Sequence, residues 1–120
     1  MKLVIIESPY AGDILRNKAY AQAALRHSLS LGEAPIASHL LYTQILNDSI
    51  EKERAEGIEA GLSWMRVANL VAFYLDLGMS RGMQNAYETA IIYQIRIEKR
   101  IIPSFEEAIA YERSRTDLLR

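Results

Sequence analysis

Near the start of the chain stands Leu3-Val4-Ile5-Ile6-Glu7-Ser8-Pro9-Tyr10-Ala11-Gly12, which carries the clearest structural signal in the sequence. Four consecutive apolar residues, most of them β-branched, are typical of a strand buried on both faces of a parallel sheet. The Ser-Pro-Tyr-Ala-Gly segment breaks that strand. Asp13 is a good N-cap for a helix that runs to about Leu31, where Gly32 stops it. The chain therefore begins with a strand, a loop and a helix.

The alternation of strand and helix continues to the end of the chain. We expect further strands at 34–37, 70–75 and 95–102, and helices at 40–46, from 49 to about 67, from 80 to about 94 and from Phe105 to about Leu119. The last strand places Arg96, Glu98 and Arg100 on one face, which is typical of a half-exposed edge strand. The pattern predicts an α/β fold with an open parallel sheet of about four strands, in the order 2-1-3-4, and helices on both faces.

Composition narrows the class of protein. A chain of 120 residues favours one domain spanning 1–120. The formal net charge of -1 lacks the basic excess of a protein that binds nucleic-acid polymers. The absence of Cys excludes disulfides, thiolate metal sites and Cys nucleophiles. Because no apolar run suits a signal peptide or a membrane helix of about 20 residues, we expect a cytoplasmic protein with no membrane partner.

The candidate site follows from the predicted sheet, because ligands of open parallel sheets bind outside the carboxyl ends of the strands. That rule brings together three segments of the chain, which are 8–13, 38–39 and 76–83. The candidate ligand-binding residues in them are Ser8, Pro9, Tyr10, Asp13, His39, Asp76, Gly78, Met79, Ser80, Arg81, Gly82 and Met83.

The segment Ser80-Arg81-Gly82 opens a helix, so its free backbone N–H groups and the positive end of the helix dipole can hold a phosphate or a carboxylate. A tight strand-to-helix turn that needs small residues explains the same pattern. Neither a Walker phosphate loop nor the dinucleotide G-x-G-x-x-G motif is present. We therefore expect no cofactor.

Three further side chains have both a binding and a structural interpretation. Tyr10 can stack on a base or sugar, or it can pack against its own helix. His39 follows a strand end, where it can bond a ligand hydroxyl or phosphate, whereas His27 falls in a helix as a surface or packing residue. Asp13 suits a helix cap better than a catalytic acid. Two isolated His residues do not form a metal site, so no metal is expected.

The stretches Ile5 to Asp13, Ala34 to His39 and Ala68 to Met83 resemble the nucleoside 2-deoxyribosyltransferase-like family, in particular its small bacterial and phage members. The resemblance covers roughly residues 3–102. It implies a flavodoxin-like fold, a nucleoside or nucleotide pocket at the strand ends, and homo-oligomers in which a neighbouring subunit can complete the site. By this resemblance Ser8-Pro9-Tyr10 lines the base and sugar pocket, and Ser80 to Met83 forms the turn before the catalytic helix.

The chain departs from that family at the position of the nucleophile. Catalytic members carry a Glu four residues after the helix-starting glycine, and the residue at that distance from Gly82 is Ala86. Glu88 lies two residues further on, about 200 degrees around a helix, so it points away from the expected site. Asn69 stands where relatives often have an acid.

These observations favour a protein that binds a nucleotide or ADP-ribose-like molecule without efficient glycosyl transfer, and so sequesters or senses its ligand. Ser80, Arg81 and Gly82 would hold phosphate, Tyr10 the base or ribose, and His39 and Asp76 hydroxyl groups.

Two alternatives stay open. One is an active nucleoside 2-deoxyribosyltransferase or nucleotide N-glycosidase, with Glu88 or an acid of another subunit as the nucleophile. The other is an oligomeric interaction protein that buries Trp64 and the helix carrying Gly57 and Gly61 at a subunit interface.

Overall fold

A four-stranded parallel sheet forms the centre of the computed structural model, which describes the backbone of residues 1–118 and the side chains of residues 1–115. The strands are β1 (Leu3–Glu7), β2 (Ala34–Ile36), β3 (Leu70–Tyr74) and β4 (Ile97–Arg100). Their order is β2-β1-β3-β4, and every neighbouring pair is parallel. The prediction of an open α/β sheet in the order 2-1-3-4 is confirmed.

Five α-helices are present in the described part of the chain. They are α1 (Ile14–Ser30), α2 (Ser38–Leu41), α3 (Glu51–Ser63), α4 (Arg81–Ile92) and α5 (Phe105–Leu118), with 3-10 turns at Tyr42–Gln44 and Trp64–Val67. The predicted Asp13 cap is confirmed, since its carboxylate accepts from the Arg16 N–H, and the Ser80 hydroxyl caps α4 by accepting from the Met83 N–H. Leu119, where the last helix was expected to end, lies outside the described residues.

Successive residues of the central strands point to opposite faces of the sheet and fill two separate cores. On one face, Val4 and Ile6 of β1 pack with α1 and α5. On the other face, Ile5 of β1 packs with α4 and with the 3-10 turn at Trp64–Val67. Helices therefore cover both faces of the sheet, as expected from the continuously apolar sequences of β1 and β3.

The structure differs from the prediction at Arg100. β4 is an edge strand, but it is shorter than expected and the Arg100 side chain is buried instead of facing solvent. The guanidinium donates two hydrogen bonds to the Glu33 carboxylate, at 2.7 and 2.8 Å, and a third to Glu98 at 2.8 Å. A buried guanidinium is tolerated here because a carboxylate neutralises it at short range.

Two helices also differ in detail from the periodicity of the sequence. The helix expected to run from 49 to about 67 ends as α3 at Ser63 and continues only as a 3-10 turn. In α4, Ile91 continues the apolar spacing of Met83, Ala86 and Ala90 but is 55% exposed. Of the helices that the structure describes, none has the length and apolar character needed to cross a membrane.

Candidate functional site

A cavity of about 270 Å³ lies beyond the carboxyl end of β1, beside the start of α4. The loop after β1, helix α2 with its following 3-10 turn, helix α3 and the first two turns of α4 supply its walls. This is the position at which open parallel sheets bind their ligands.

Seven of the predicted ligand-binding residues line this cavity. They are Ser8, Tyr10, His39, Ser80, Arg81, Gly82 and Met83. The three segments that the strand order was expected to bring together therefore do meet. Helix α3 is a wall that the sequence did not indicate, because the periodicity of a helix says nothing about which end of the sheet it covers.

Five other predicted ligand-binding residues, and Glu88, do not line the cavity wall. Pro9 is buried, Asp13 caps α1, and Gly78 lies in an exposed turn with a positive φ of 85 degrees. Met79 is exposed beside that turn, and Glu88 is exposed on α4.

Asp76 has a structural role in place of the predicted ligand contact. Its carboxylate accepts from the Tyr20 hydroxyl at 2.7 Å and from the Ile102 N–H at 3.0 Å. It thereby ties the end of β3 to α1 and to the segment after β4. The pKa of Tyr20 is raised, first because the phenol is buried and then because it donates to Asp76.

Glu7, the last residue of β1, is the functional candidate that sequence reasoning missed. Its half-buried side chain lines the cavity, and none of the described residues gives its carboxyl group a hydrogen bond or an ion pair. Burial raises the pKa of this carboxyl from 4.5 to about 8. The available signal was an acid placed directly at the carboxyl end of a buried strand, where polar residues face a ligand.

Ser8 and His39 form a hydrogen-bonded pair in the cavity wall, with 2.8 Å between the Ser8 Oγ and the His39 Nε2. His39 lies in the first turn of α2, just after β2. Burial lowers the pKa of His39 to about 4, so the imidazole is neutral at physiological pH. A neutral imidazole can accept or donate one hydrogen bond without bringing a charge into the cavity.

The first turn of α4 presents backbone donors at the cavity. Ser80 caps the Met83 N–H, while the N–H groups of Arg81 and Gly82 have no partner within the helix. A Cβ placed on Gly82 would meet no atom within 4 Å, so a ligand can approach this backbone closely. Arg81 is exposed at the same end of the helix, which makes this part of the cavity suited to an anion.

The wall made by α3 depends on close packing at Gly61. A Cβ on Gly61 would come within 2.6 Å of the Ser38 Oγ and 3.2 Å of the Ser38 Cβ. At Gly61, α3 is therefore packed closely against α2, next to His39.

Three other residues discussed in the sequence analysis, His27, Asn69 and Trp64, make contacts within the fold and do not line the cavity. The His27 Nδ1 is hydrogen-bonded to the Tyr74 hydroxyl at 2.8 Å, which is a packing role. Asn69 lies at the amino end of β3, away from the cavity, and its amide oxygen accepts from the Leu3 N–H. Trp64 is 46% exposed and donates to the Tyr42 hydroxyl. Within the described residues, no three side chains of metal-ligating type come together.

Fold and cavity together define a small open-sheet α/β protein with a pocket of mixed apolar and polar lining at the ends of its strands. The chain belongs to the family described as Domain of unknown function (DUF7768), whose model matches residues 2–100. That match spans all four strands and helices α1 to α4. No curated protein matches the chain. The resemblance to the nucleoside 2-deoxyribosyltransferase-like family stays a prediction.

Proposed function

We propose that the protein binds a nucleotide or nucleoside in the cavity beyond β1, without efficient glycosyl transfer. The observation that carries the proposal is the distribution of chemistry along this cavity. The cavity wall combines the polar side chains of Glu7, Ser8 and His39, which lie at or just after the ends of β1 and β2, with the backbone donors and the guanidinium of the α4 N-terminus. Such a pocket matches a ligand with a polar, uncharged ring system at one end and an anionic group at the other.

Burial sets the orientation of the ligand. Arg81 and Gly82 are exposed, whereas Ser8 is buried and Glu7 is half-buried. A phosphate keeps part of its hydration at the exposed end, while a base loses little by entering the deeper end, because desolvating a charge costs far more than desolvating a polar ring. Tyr10 lines the same cavity, where its ring can contact the base or ribose.

Cavity size bears on the class of ligand. A volume of about 270 Å³ is just below the range of roughly 300–1,000 Å³ that is usual for pockets enclosing drug-sized ligands. The cavity therefore favours a nucleoside or a mononucleotide. An ADP-ribose-like molecule, with a second sugar and a second phosphate, would extend past the α4 N-terminus into solvent.

The position of the acids supports binding without efficient glycosyl transfer through α4. Ala86 lines the cavity and is 2% exposed, whereas Glu88 is exposed and lies outside the wall. No observation favours Glu88 as the nucleophile of a transferase or N-glycosidase.

Calorimetric titration with adenosine monophosphate and with adenosine tests the proposal. Arg81→Ala should weaken binding of the monophosphate about tenfold or more and leave adenosine almost unchanged, because only the monophosphate gains a charge-assisted hydrogen bond. Arg96→Ala, which removes an exposed guanidinium outside the cavity, is the matched control. Absence of binding for a panel of nucleotides and nucleosides at millimolar concentration would reject the proposal.

Homo-oligomer formation, a cytoplasmic location and the absence of a nucleic-acid polymer among the partners stay predictions. Sedimentation velocity on the full chain is the direct measurement of the first.

A further inference from the structure

The buried face of α1 is apolar except at two positions. Asn17 and Ser28 are buried there, between the alanines of the helix and Tyr20. Near the carboxyl end of α1, the Ser28 hydroxyl donates to the Glu33 carboxylate at 2.7 Å. Asn17 lies near the other end of the helix, next to the loop after β1. Because burying an amide costs free energy unless its donors are paired, the partners of Asn17 explain its place in this face.

The loop after β1 takes up both donors of the Asn17 amide. The Asn17 Nδ2 donates to the Tyr10 carbonyl at 2.9 Å and to the Ala11 carbonyl at 2.9 Å. Asn17 is 1% exposed, so water does not compete for these hydrogen bonds. Two consecutive carbonyl groups of the loop are thereby held against α1.

The backbone of this loop determines where Tyr10 lies. The Ser8 hydroxyl is hydrogen-bonded to α2, and the ring of Pro9 restricts φ. Asn17 holds the peptide groups on both sides of Ala11. Among the described residues none gives the Tyr10 hydroxyl a hydrogen bond, so the place of the Tyr10 ring in the cavity depends on the backbone that Asn17 holds.

We propose that Asn17 is a positioning residue of the ligand pocket, which holds the loop after β1 so that the Tyr10 ring contacts the base or ribose. The inference rests on the proposed function, because it concerns the same cavity. Asn17 is not part of the cavity wall, so it acts on the ligand through the loop. Without its amide the loop gains conformations, and ordering them again costs part of the binding free energy.

A double-mutant cycle between Asn17 and Tyr10, measured by calorimetric titration with adenosine monophosphate, tests the inference. Tyr10→Ala should weaken binding about tenfold, the usual effect of removing one stacking contact. Asn17→Ala should weaken it by roughly three- to tenfold, because the ligand must then order the loop. If Asn17 acts through Tyr10, the double variant should bind about as weakly as Tyr10→Ala alone, whereas two independent residues would multiply their effects.

Two comparisons separate this role from a general loss of stability. Asn17→Ala combined with Arg81→Ala should show multiplied losses, since Arg81 acts on the phosphate from α4. Ser28→Ala is the matched control, because it removes a hydrogen-bonding group from the same buried face of α1 at a place outside the cavity. It should lower the melting temperature and leave the affinity unchanged.

Asn17→Asp tests whether the amide donors or the volume of the side chain matter. The two side chains have nearly the same size, but a carboxylate has no donor and would face two carbonyl oxygens. Asn17→Asp should therefore weaken binding at least as much as Asn17→Ala does. Thermal unfolding identifies which variant is folded, and the cycle with Tyr10→Ala can be run with either.

Unchanged affinity in Asn17→Ala or Tyr10→Ala, or multiplied losses in their double variant, would overturn the positioning role and leave the proposed function standing. Absence of binding of every nucleotide and nucleoside to the unmodified protein would overturn both.

Discussion

At the scale of single residues, Glu7 links the candidate site to folding stability. Its pKa is raised from 4.5 to about 8 by burial, so the folded protein binds a proton more tightly than the unfolded chain. Stability contributed by the protonated form is present at low pH and is lost as the pH rises from about 4.5 to 8. The ionised Glu7 carboxyl therefore lowers the stability of the folded protein. Residues of binding sites commonly have this effect, which is the general trade-off between function and stability.

The prediction concerns the unfolding free energy of Glu7→Gln. As the pH rises from 5 to 9, the unfolding free energy of this variant should increase by roughly 4 kcal/mol relative to that of the unmodified protein, because the variant has no carboxyl to ionise. Urea denaturation at both pH values measures the difference. The lowered pKa of His39 affects both proteins equally and cancels in the comparison.

Glu88→Gln is the control for that experiment, since it removes an equal charge from an exposed position. A parallel dependence on pH in Glu7→Gln and the unmodified protein would show that the Glu7 carboxyl is not destabilised by burial.

Single residues were the least predictable level of the structure. Ser8, Tyr10 and the start of α4 could be placed in the site because strand ends are recognisable in a sequence. Asp76 could not be separated from them, because its role depends on Tyr20, which lies 56 positions away. For Glu7 the sequence indicates only the end of a strand, because its lack of a partner is a property of the packed cavity.

At the scale of elements, the contact between α2 and α3 determines the shape of the cavity. Gly61→Ala should lower the unfolding free energy by about 1–3 kcal/mol, since its Cβ would approach Ser38 more closely than packing allows. The shift of α2 should also move His39 and weaken ligand binding. Thermal and urea unfolding with calorimetric titration measure both effects.

Gly57→Ala is the matched substitution within the same helix. Its Cβ would meet the end of the flexible Leu46 side chain at 3.3 Å, so the gain in helix propensity of up to about 1 kcal/mol should outweigh the contact. Ser38→Ala should restore part of the stability lost in Gly61→Ala. If both glycine variants are equally stable, the close approach at Gly61 is not a constraint.

The order of the elements was the most predictable level. Strands alternating with helices leave few topologies once crossovers are right-handed, and continuous apolar runs identify the strands buried on both faces. The end of α3 was not predictable, because the apolar residues Met65 and Val67 continue the helical spacing into what is a 3-10 turn.

At the scale of the whole molecule, the pair between Arg100 and Glu33 connects the edge strand β4 to the turn before β2. Glu33→Gln should cost about 3–5 kcal/mol, because it leaves a buried guanidinium without its carboxylate. The hydrogen bond from Arg100 lowers the pKa of Glu33, so this stability is present near neutral pH and is lost as the pH falls below 4.5. Urea unfolding at pH 7 and pH 4 measures both effects.

Glu98→Gln tests whether the large cost expected for Glu33→Gln comes from the burial of the pair between Arg100 and Glu33. Glu98 also pairs with Arg100, but its side chain is 43% exposed, so its loss should cost no more than about 1 kcal/mol. If Glu33→Gln and Glu98→Gln lose similar amounts of unfolding free energy, burial of the Arg100–Glu33 pair is not the cause of the cost. This pair could not be predicted from the sequence, because its members lie 67 positions apart and Arg100 fits the pattern of a solvated edge strand.

The central position of β1 has a consequence for synthesis on the ribosome. β1 is made before both of its neighbours, since it pairs on one side with β2 and on the other with β3, which ends only at Tyr74. At roughly 5–20 residues per second, several seconds pass before β3 has been translated. During that interval Leu3-Val4-Ile5-Ile6 lacks its partner on the β3 side, and an apolar segment of high β-propensity with an unpaired edge promotes aggregation of nascent chains. The segment that organises the finished sheet is therefore the one that most needs protection by chaperones while the chain is still growing.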